Sequence, residues 1–272
     1  MTDHLRLPFD QARLAQELPS LNGPWTAIGV VRQTGSTNAD LLDLAARGLN
    51  DGSVLVAEEQ TAGRGRQGRS WVSPLGSALT FSVLLRPERI PPERLGWVPL
   101  VAGTATATAV RALTGLDARL KWPNDVLIGG RKLAGILAEA AGTAIVVGIG
   151  LNVSSTPGEL PVGPGGLAPT SLLAEGVPVA RDVLLIEILR SFGQWYKTLS
   201  QDPDPQRIGL LAQYAKLSAT VGREVRVELP GGATVSGMAV EIDPDGRLLV
   251  DTSTGVYAVA AGDVIHVRNA PA

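Results

Sequence analysis

The chain has 272 residues, 44% hydrophobic and 18% charged, with a formal net charge of −2 and no cysteine. That length carries one sizeable core and a smaller second unit. The near-balanced charge gives no global field for nucleic acid or an anionic membrane, and the missing thiols exclude disulfides, thiolate zinc sites and a cysteine nucleophile. The two histidines, His4 and His266, lie near the termini, so a Ser-His-Asp triad or a histidine-rich metal site is not expected. No apolar run is long enough to span a bilayer, and the first 25 residues lack the layout of a signal peptide, which points to a soluble, cytoplasmic chain.

A short helix is predicted at 10–18, then a strand at 26–35. "STNADLLDLAARGL" follows with apolar residues at helical spacing; Ser36 or Thr37 caps it, and Thr37-x-x-Asp40 fits a capping box. Strands are predicted at 53–59 and 77–87, then a long helix rich in small residues at 91–115. Three strand segments come next, "ARLKW", "KLAGILAEA" and "AIVVGIGLNV". The Pro/Gly-rich stretch 154–169 reads as an exposed, mobile loop, and helices are predicted at 181–200 and 205–217. Early elements alternate strand and helix, while later strands follow one another through short turns, which indicates an α+β sheet with helices on one side. From about 218, short strands separated by "PGG" and "PDG" read as a small β-barrel. The domains expected are therefore 1–217 and 218–272.

Four stretches carry chemistry. "GRGRQGR" (63–69) packs three glycines and three arginines into seven positions and is followed by Trp71. It fits a nucleic-acid element, a solvated turn, or a loop in which glycines let backbone approach an anion that arginines neutralise. "KWPND" (121–125) holds an amide and a carboxylate in a proline turn that ends a strand, bracketed by Lys121 and Asp125. Lys132 opens an otherwise apolar strand containing Gly135; it is either a snorkelling edge residue or a cation for a carboxylate or phosphate in a partly dry site. In "GIGLN" (148–152), Gly148 and Gly150 share one strand face with Asn152, which signals close approach by a packed helix or a flat ligand.

Taken in order, with "TGSTN" (34–38) upstream, these motifs resemble the biotin protein ligases, strongly over about residues 30–153 and more loosely downstream. The resemblance implies a class II synthetase-like catalytic sheet followed by a C-terminal SH3-like β-barrel. It also implies that biotin and MgATP form biotinyl-5′-AMP, and that the biotinyl group passes to a lysine of the biotin carboxyl carrier domain of an acyl-CoA carboxylase. Under it, Ser36, Thr37 and Gln60 bind the ureido end of biotin, and Gly63, Arg64, Gly135, Gly148 and Gly150 line its pocket. Arg66 and Lys132 meet the biotin carboxyl and the α-phosphate, with Lys132 the leading catalytic side chain. Arg64, Arg69 and Lys121 supply further charge toward ATP, and Trp71, Asn124 and Asn152 hold the adenylate. Asp125 orients Lys132, meets Mg2+ or assists the acceptor amine; otherwise the ATP phosphates carry the magnesium.

The adenylate is a mixed anhydride that water destroys, so the Gly/Arg loop is expected to fold over it with Trp71 as an apolar latch. Only about 25 residues precede the first strand, too few for the helix-turn-helix domain of some relatives, so a monofunctional ligase without operator binding is expected, as a monomer or weak homodimer. The rivals are a lipoate–protein ligase of the same superfamily, a biotin-binding regulator without catalysis and, more distantly, a nucleic-acid-binding module.

Overall fold

The computed structural model describes residues 5–160 and 167–267. A seven-stranded sheet forms from β1 (Ala27–Thr34), β2 (Ser53–Gln60), β5 (Ala78–Leu85), β6 (Ala118–Lys121), β7 (Asp125–Ile128), β8 (Arg131–Ala141) and β9 (Ala144–Asn152). Its order is β1-β2-β5-β9-β8-β7-β6; β1 and β2 are parallel and every other neighbouring pair is antiparallel. The Gly/Arg segment is a hairpin of two short strands, β3 (Gly63–Arg64) and β4 (Ser70–Trp71), whose tip holds Gln67 and Gly68 at φ of 55° and 73°. Glycine suits that conformation; Gln67 adopts it against its side chain's preference.

Alternation along the central strands gives the sheet two different faces. Phe81, Val83, Val147, Ile149 and Leu151 belong to the main core. That core also takes in α3 (Trp97–Thr114) and α4 (Arg181–Gln201), with α5 (Leu210–Leu217) beyond them. On the other face, Leu84, Ala144 and Val146 pack with Leu41 and Ala45 of α2 (Thr37–Ala46). The expectation of helices on one side therefore holds for α3, α4 and α5 but not for α2, which lies on the opposite face. The short helix predicted at the N-terminal end is α1 (Gln11–Glu17), capped by the Asp10 carboxylate, which accepts from the Arg13 N–H.

Other differences have local causes. The long helix starts at Trp97 and not at 91, because Pro91 and Pro92 set an extended residue and a 3₁₀ turn ahead of it. "KWPND" does not simply end a strand: Val126, Leu127 and Ile128 continue as β7, a run too short to announce itself between two turns. Ser36 is the N-cap of α2, but Asp40 accepts from the Thr34 hydroxyl, so no capping box forms. The helix predicted at 205–217 begins at Leu210, after Gly209 at φ 76°. Within the loop 154–169, residues 161–166 lie outside the described residues; Ser154 and Ser155 are buried, not exposed.

The C-terminal strands are β10 (Glu224–Glu228), β11 (Thr234–Ile242), β12 (Leu248–Thr252), β13 (Gly255–Val259) and β14 (Asp263–His266). They form an antiparallel sheet ordered β13-β12-β11-β10-β14 that buries Val225, Val227, Ala239, Leu248, Val250 and Val264. Its "PDG" turn is gripped by the first unit: the Trp97 indole donates to Pro244 O (2.8 Å), the Trp122 indole donates to Gly246 O (3.1 Å), and Arg94 pairs with Asp245. Two buried indoles thereby satisfy their N–H groups on carbonyls of the attached turn.

His266 faces the Thr220 hydroxyl at 3.2 Å, and burial first, then Lys121 and Arg223, lowers its pKa from 6.5 to about 4. The unfolded chain therefore binds more protons between those values, so this contribution to stability is complete above about pH 6.5 and is lost as pH falls toward 4. Thermal midpoints measured from pH 7 to pH 4 are expected to fall less steeply in His266→Gln than in the wild type.

Candidate functional site

A cavity opens on the α2 face of the sheet, and cross-strand register explains its floor. Asp125 pairs with Gly135, Gly135 with Gly150, and Gly150 with Thr80, so these four residues cross the sheet in one row. Directly paired residues share a face, and the two central ones have no side chain. The row is a shallow trough with a carboxylate at one end. The Trp71 indole lies in it: a Cβ built on Gly150 would stand 2.5 Å from Trp71 Cε2, and one on Gly135 3.5 Å from Cζ3. In the next row Gly148 is approached by α2, its Cβ position 2.2 Å from Asn38 Oδ1. The helix reading of the paired glycines is realised at Gly148, and at Gly150 the close neighbour is a side chain of the chain's own hairpin. The Trp71 indole N–H is buried with no hydrogen-bond partner among the described residues.

At one end the cavity is polar and uncharged. Gln60 Oε1 accepts from the Thr37 N–H (2.8 Å) and hydroxyl (3.0 Å), and Ser36 caps α2 beside them. The opposite end is cationic. Lys132 Nζ lies 2.6 Å from Asp125 Oδ1 and Lys121 Nζ 3.9 Å from Oδ2. Arg66 donates to Asn124 Oδ1 (3.1 Å) and to Gly262 O (3.3 Å), and Arg69 pairs with Asp263. Burial lowers the pKa of Lys121 and Arg66, and the Asp125 charge acts the other way on both. Four cations at this end thus face three carboxylates, Asp125 inside and the cross-strand neighbours Asp263 and Glu228 at the rim. Such a site gains from an added anion.

The structure brings Ser36, Thr37, Gln60, Arg64, Arg66, Arg69, Trp71, Lys121, Asn124, Asp125, Lys132, Gly135, Gly148, Gly150 and Asn152 to this cavity. Gly63 does not line it; it stands behind, where a Cβ would lie 2.4 Å from Trp71 O and 2.7 Å from Gln60 Nε2. Two of the amides are already engaged by the frame: Asn152 donates to Thr170 O (2.9 Å) and Asn124 to Ile136 O (3.2 Å). Sequence reasoning missed Asn38 and Thr80, and it missed the wall supplied from the C-terminal sheet by Asp263, Val264 and Ile265. Asn38 stood inside "TGSTN" and had a signal; the C-terminal residues had none. Among the described residues no group of three His, Asp or Glu side chains could hold a metal ion, and no helix is long and apolar enough to cross a membrane. Asp125, the carboxylate inside the cavity, is paired with Lys132.

Comparison with known proteins agrees with this geometry. Residues 30–154 match the Biotin/lipoate A/B protein ligase family, and residues 220–267 match the Biotin protein ligase C terminal domain. The chain is 44% identical to the biotin--[acetyl-CoA-carboxylase] ligase of Mycobacterium tuberculosis, over 98% of each chain. It is 32% identical to the bifunctional ligase/repressor BirA of Escherichia coli, over 97% of this chain and 80% of that one. The solved biotin protein ligase from Aquifex aeolicus in complex with biotin and ATP superposes with a TM-score of 0.75 at 28% identity, covering 89% of this chain and 99% of that one. The protein is thus a member of the biotin protein ligase family.

Because Trp71 fills the space above Gly150, a methyl group there must displace the indole. Gly150→Ala is expected to destabilise the fold by about 1–3 kcal/mol and to weaken ligand binding more than that loss explains. Denaturant unfolding and calorimetric titration of biotin check the two effects.

Proposed function

We propose that this chain activates biotin with MgATP to biotinyl-5′-AMP and transfers the biotinyl group to one lysine of the biotin carboxyl carrier domain of an acyl-CoA carboxylase. The observation that carries the reading is the polarity of the cavity, with a neutral hydrogen-bonding end at Thr37 and Gln60, a glycine trough, and a cationic end at Lys132, Lys121, Arg66 and Arg69. A ligand with a neutral polar head, a slim apolar body and a carboxylate tail matches that sequence of environments, and a relative 44% identical over 98% of the chain is named a biotin--[acetyl-CoA-carboxylase] ligase.

In the first step a biotin carboxylate oxygen forms a bond to the α-phosphorus of ATP and pyrophosphate leaves. Both reactants are anions, so the step needs fixed positive charge where they meet. Lys132, aimed by Asp125 at 2.6 Å, is the side chain we assign to the carboxylate and the α-phosphate. Arg66 and Arg69 approach from the hairpin and Lys121 from below, and they offset charge on the departing phosphates. Magnesium, carried on the phosphates, would neutralise part of the same charge. In the second step the acceptor amine attacks the anhydride carbonyl carbon and AMP leaves; Asp125 is the carboxylate we assign to the amine proton. Ser36, Thr37 and Gln60 hold the ureido end in this reading, with the Trp71 indole and Asn38, seated on Gly135, Gly150 and Gly148, as the floor and Arg64 at the mouth. Asn124 and Asn152 brace the adenylate side. Residues 1–217 form the catalytic unit and 218–272 a C-terminal unit that closes the nucleotide side, and we assign the reaction to the cytoplasm, where ATP is at hand.

The test is pyrophosphate release with biotin and MgATP, followed by label transfer to a carrier domain, with lipoate as a control. Lys132→Ala is expected to lower the first-step rate by roughly a hundredfold or more. Lipoate transfer in place of biotin assigns the chain to the sister activity, and tight biotin binding without pyrophosphate release leaves a sensor.

A further inference from the structure

Lys132, the side chain assigned to the reacting carboxylate, sits where the sheet stops supporting its strand. The β8–β9 ladder ends at the pair Ala134 and Leu151, so the edge of β8 has no β9 partner at Lys132. On its other side Lys132 pairs with Leu127 of β7, and the register slips between Val126 and Leu127 at that point. A separate segment closes the open edge. The Lys132 N–H donates to Ala168 O (2.8 Å) and the Thr170 N–H donates to Lys132 O (2.8 Å), which sets Pro169 beside Lys132 in a single parallel bridge. Proline is tolerated there because only its two neighbours bond across such a bridge.

The segment is held in turn by side chains. Asn152 Nδ2 donates to Thr170 O (2.9 Å). The Thr170 hydroxyl donates to Glu175 Oε1, and Glu175 Oε2 accepts from Arg131 Nη2 at 2.7 Å. These contacts form a ring that leaves β8 at Arg131, passes through Glu175 and Thr170, and returns to β8 at Lys132. Thr170 is 3% exposed, so its hydroxyl has no recourse to water once Glu175 is removed. The Arg131 side chain is half exposed, and a screened pair of that kind contributes little. The buried link through Thr170 is the one that matters.

We propose that Glu175 is a positioning residue for Lys132: by accepting from the Thr170 hydroxyl it holds the segment that fixes the Lys132 backbone, and so aims the ammonium group. This rests on the reading above, in which Lys132 meets the biotin carboxylate and the α-phosphate. Lys132 and Pro169 line the cavity, whereas Glu175 stands behind them and touches no substrate. A misplacement of about 1 Å at a reacting group costs up to about a hundredfold in rate. Two other roles are to be separated: a charge effect of the carboxylate, and a purely structural brace of the turn in which the Glu175 N–H donates to Ser171 O (3.0 Å).

The experiment measures pyrophosphate release in a single turnover with saturating biotin and MgATP, and the biotin Kd without ATP. The proteins are the wild type, Glu175→Leu, Glu175→Gln, Thr170→Val, Lys132→Ala and the Lys132→Ala/Glu175→Leu double variant. Glu175→Leu and Thr170→Val are each expected to slow the step by about tenfold, with the biotin Kd moving less than about threefold. Glu175→Gln, which loses the charge but still accepts from Thr170, is expected to stay within about twofold of the wild type. In the Lys132→Ala background, Glu175→Leu is expected to cause no further loss, because its effect passes through the ammonium group. An unchanged rate in Glu175→Leu, a Gln variant as slow as the Leu variant, a biotin Kd that rises as much as the rate falls, or an undiminished loss in the Lys132→Ala background overturns the proposal. Should Glu175→Leu fail to fold, an unchanged rate in Thr170→Val overturns it alone. Wild-type protein that releases no pyrophosphate from biotin and MgATP sinks the functional reading and this inference together; wild-type turnover with unaltered variants sinks the inference only.

Discussion

Asp125 is the carboxylate on which the cationic end of this cavity depends. Lys132 stands 2.6 Å from one of its oxygens and Lys121 3.9 Å from the other, with the Arg66 guanidinium close enough to feel its charge. Without a counterion, half-buried ammonium groups at that spacing repel one another and lose protons; burial already pulls Lys121 in that direction. With Asp125 among these cations, the cluster stays folded and charged while its capacity for anions is left unspent. Register is the reason Asp125 can do this. Its pairing with Gly135, and of Gly135 with Gly150, sets the carboxylate at the end of a trough that seats the Trp71 indole.

The same charge logic explains why two sheets are needed. The hairpin that bears Arg66 and Arg69 has almost no hydrophobic anchorage apart from Trp71, and what holds its far side is the C-terminal unit, through Gly262 O and Asp263. That unit is itself fastened by indole donors of Trp97 and Trp122 to the turn around Pro244 and Gly246. The cationic end of the cavity and the attachment of the C-terminal sheet are therefore one mechanical path, from α3 through the turn to β14 and onto the arginines. A change at the turn can reach the arginines without touching the trough.

Much of this was legible before any coordinates. "GRGRQGR", "KWPND", "KLAGIL" and "GIGLN" stand in order because each places a cation or a bare backbone at the same trough, and residue type alone announces cations and glycines. What stayed illegible depended on pairing between distant strands. That Asp125, Gly135, Gly150 and Thr80 form one row is a statement of register, which the spacing of motifs does not encode. The strand at Val126–Leu127–Ile128 was hidden by brevity between two turns, and the separation of α2 from the other helices was not legible because its stripe of Leu41 and Ala45 does not say which side of a sheet will receive it. Asp263 belonged to no motif, since its task is set by where the second sheet docks.

Asp125 opposes the loss of the Lys121 proton that burial favours, and the cationic end of the cavity depends on that balance. Titration of the Lys121 side chain, followed by the ¹³Cε chemical shift in the wild type and in Asp125→Asn, addresses it directly. The account predicts that Lys121 loses its proton at a distinctly lower pH once the carboxylate charge is gone, since burial then acts unopposed. Identical titration curves in the two proteins would contradict it.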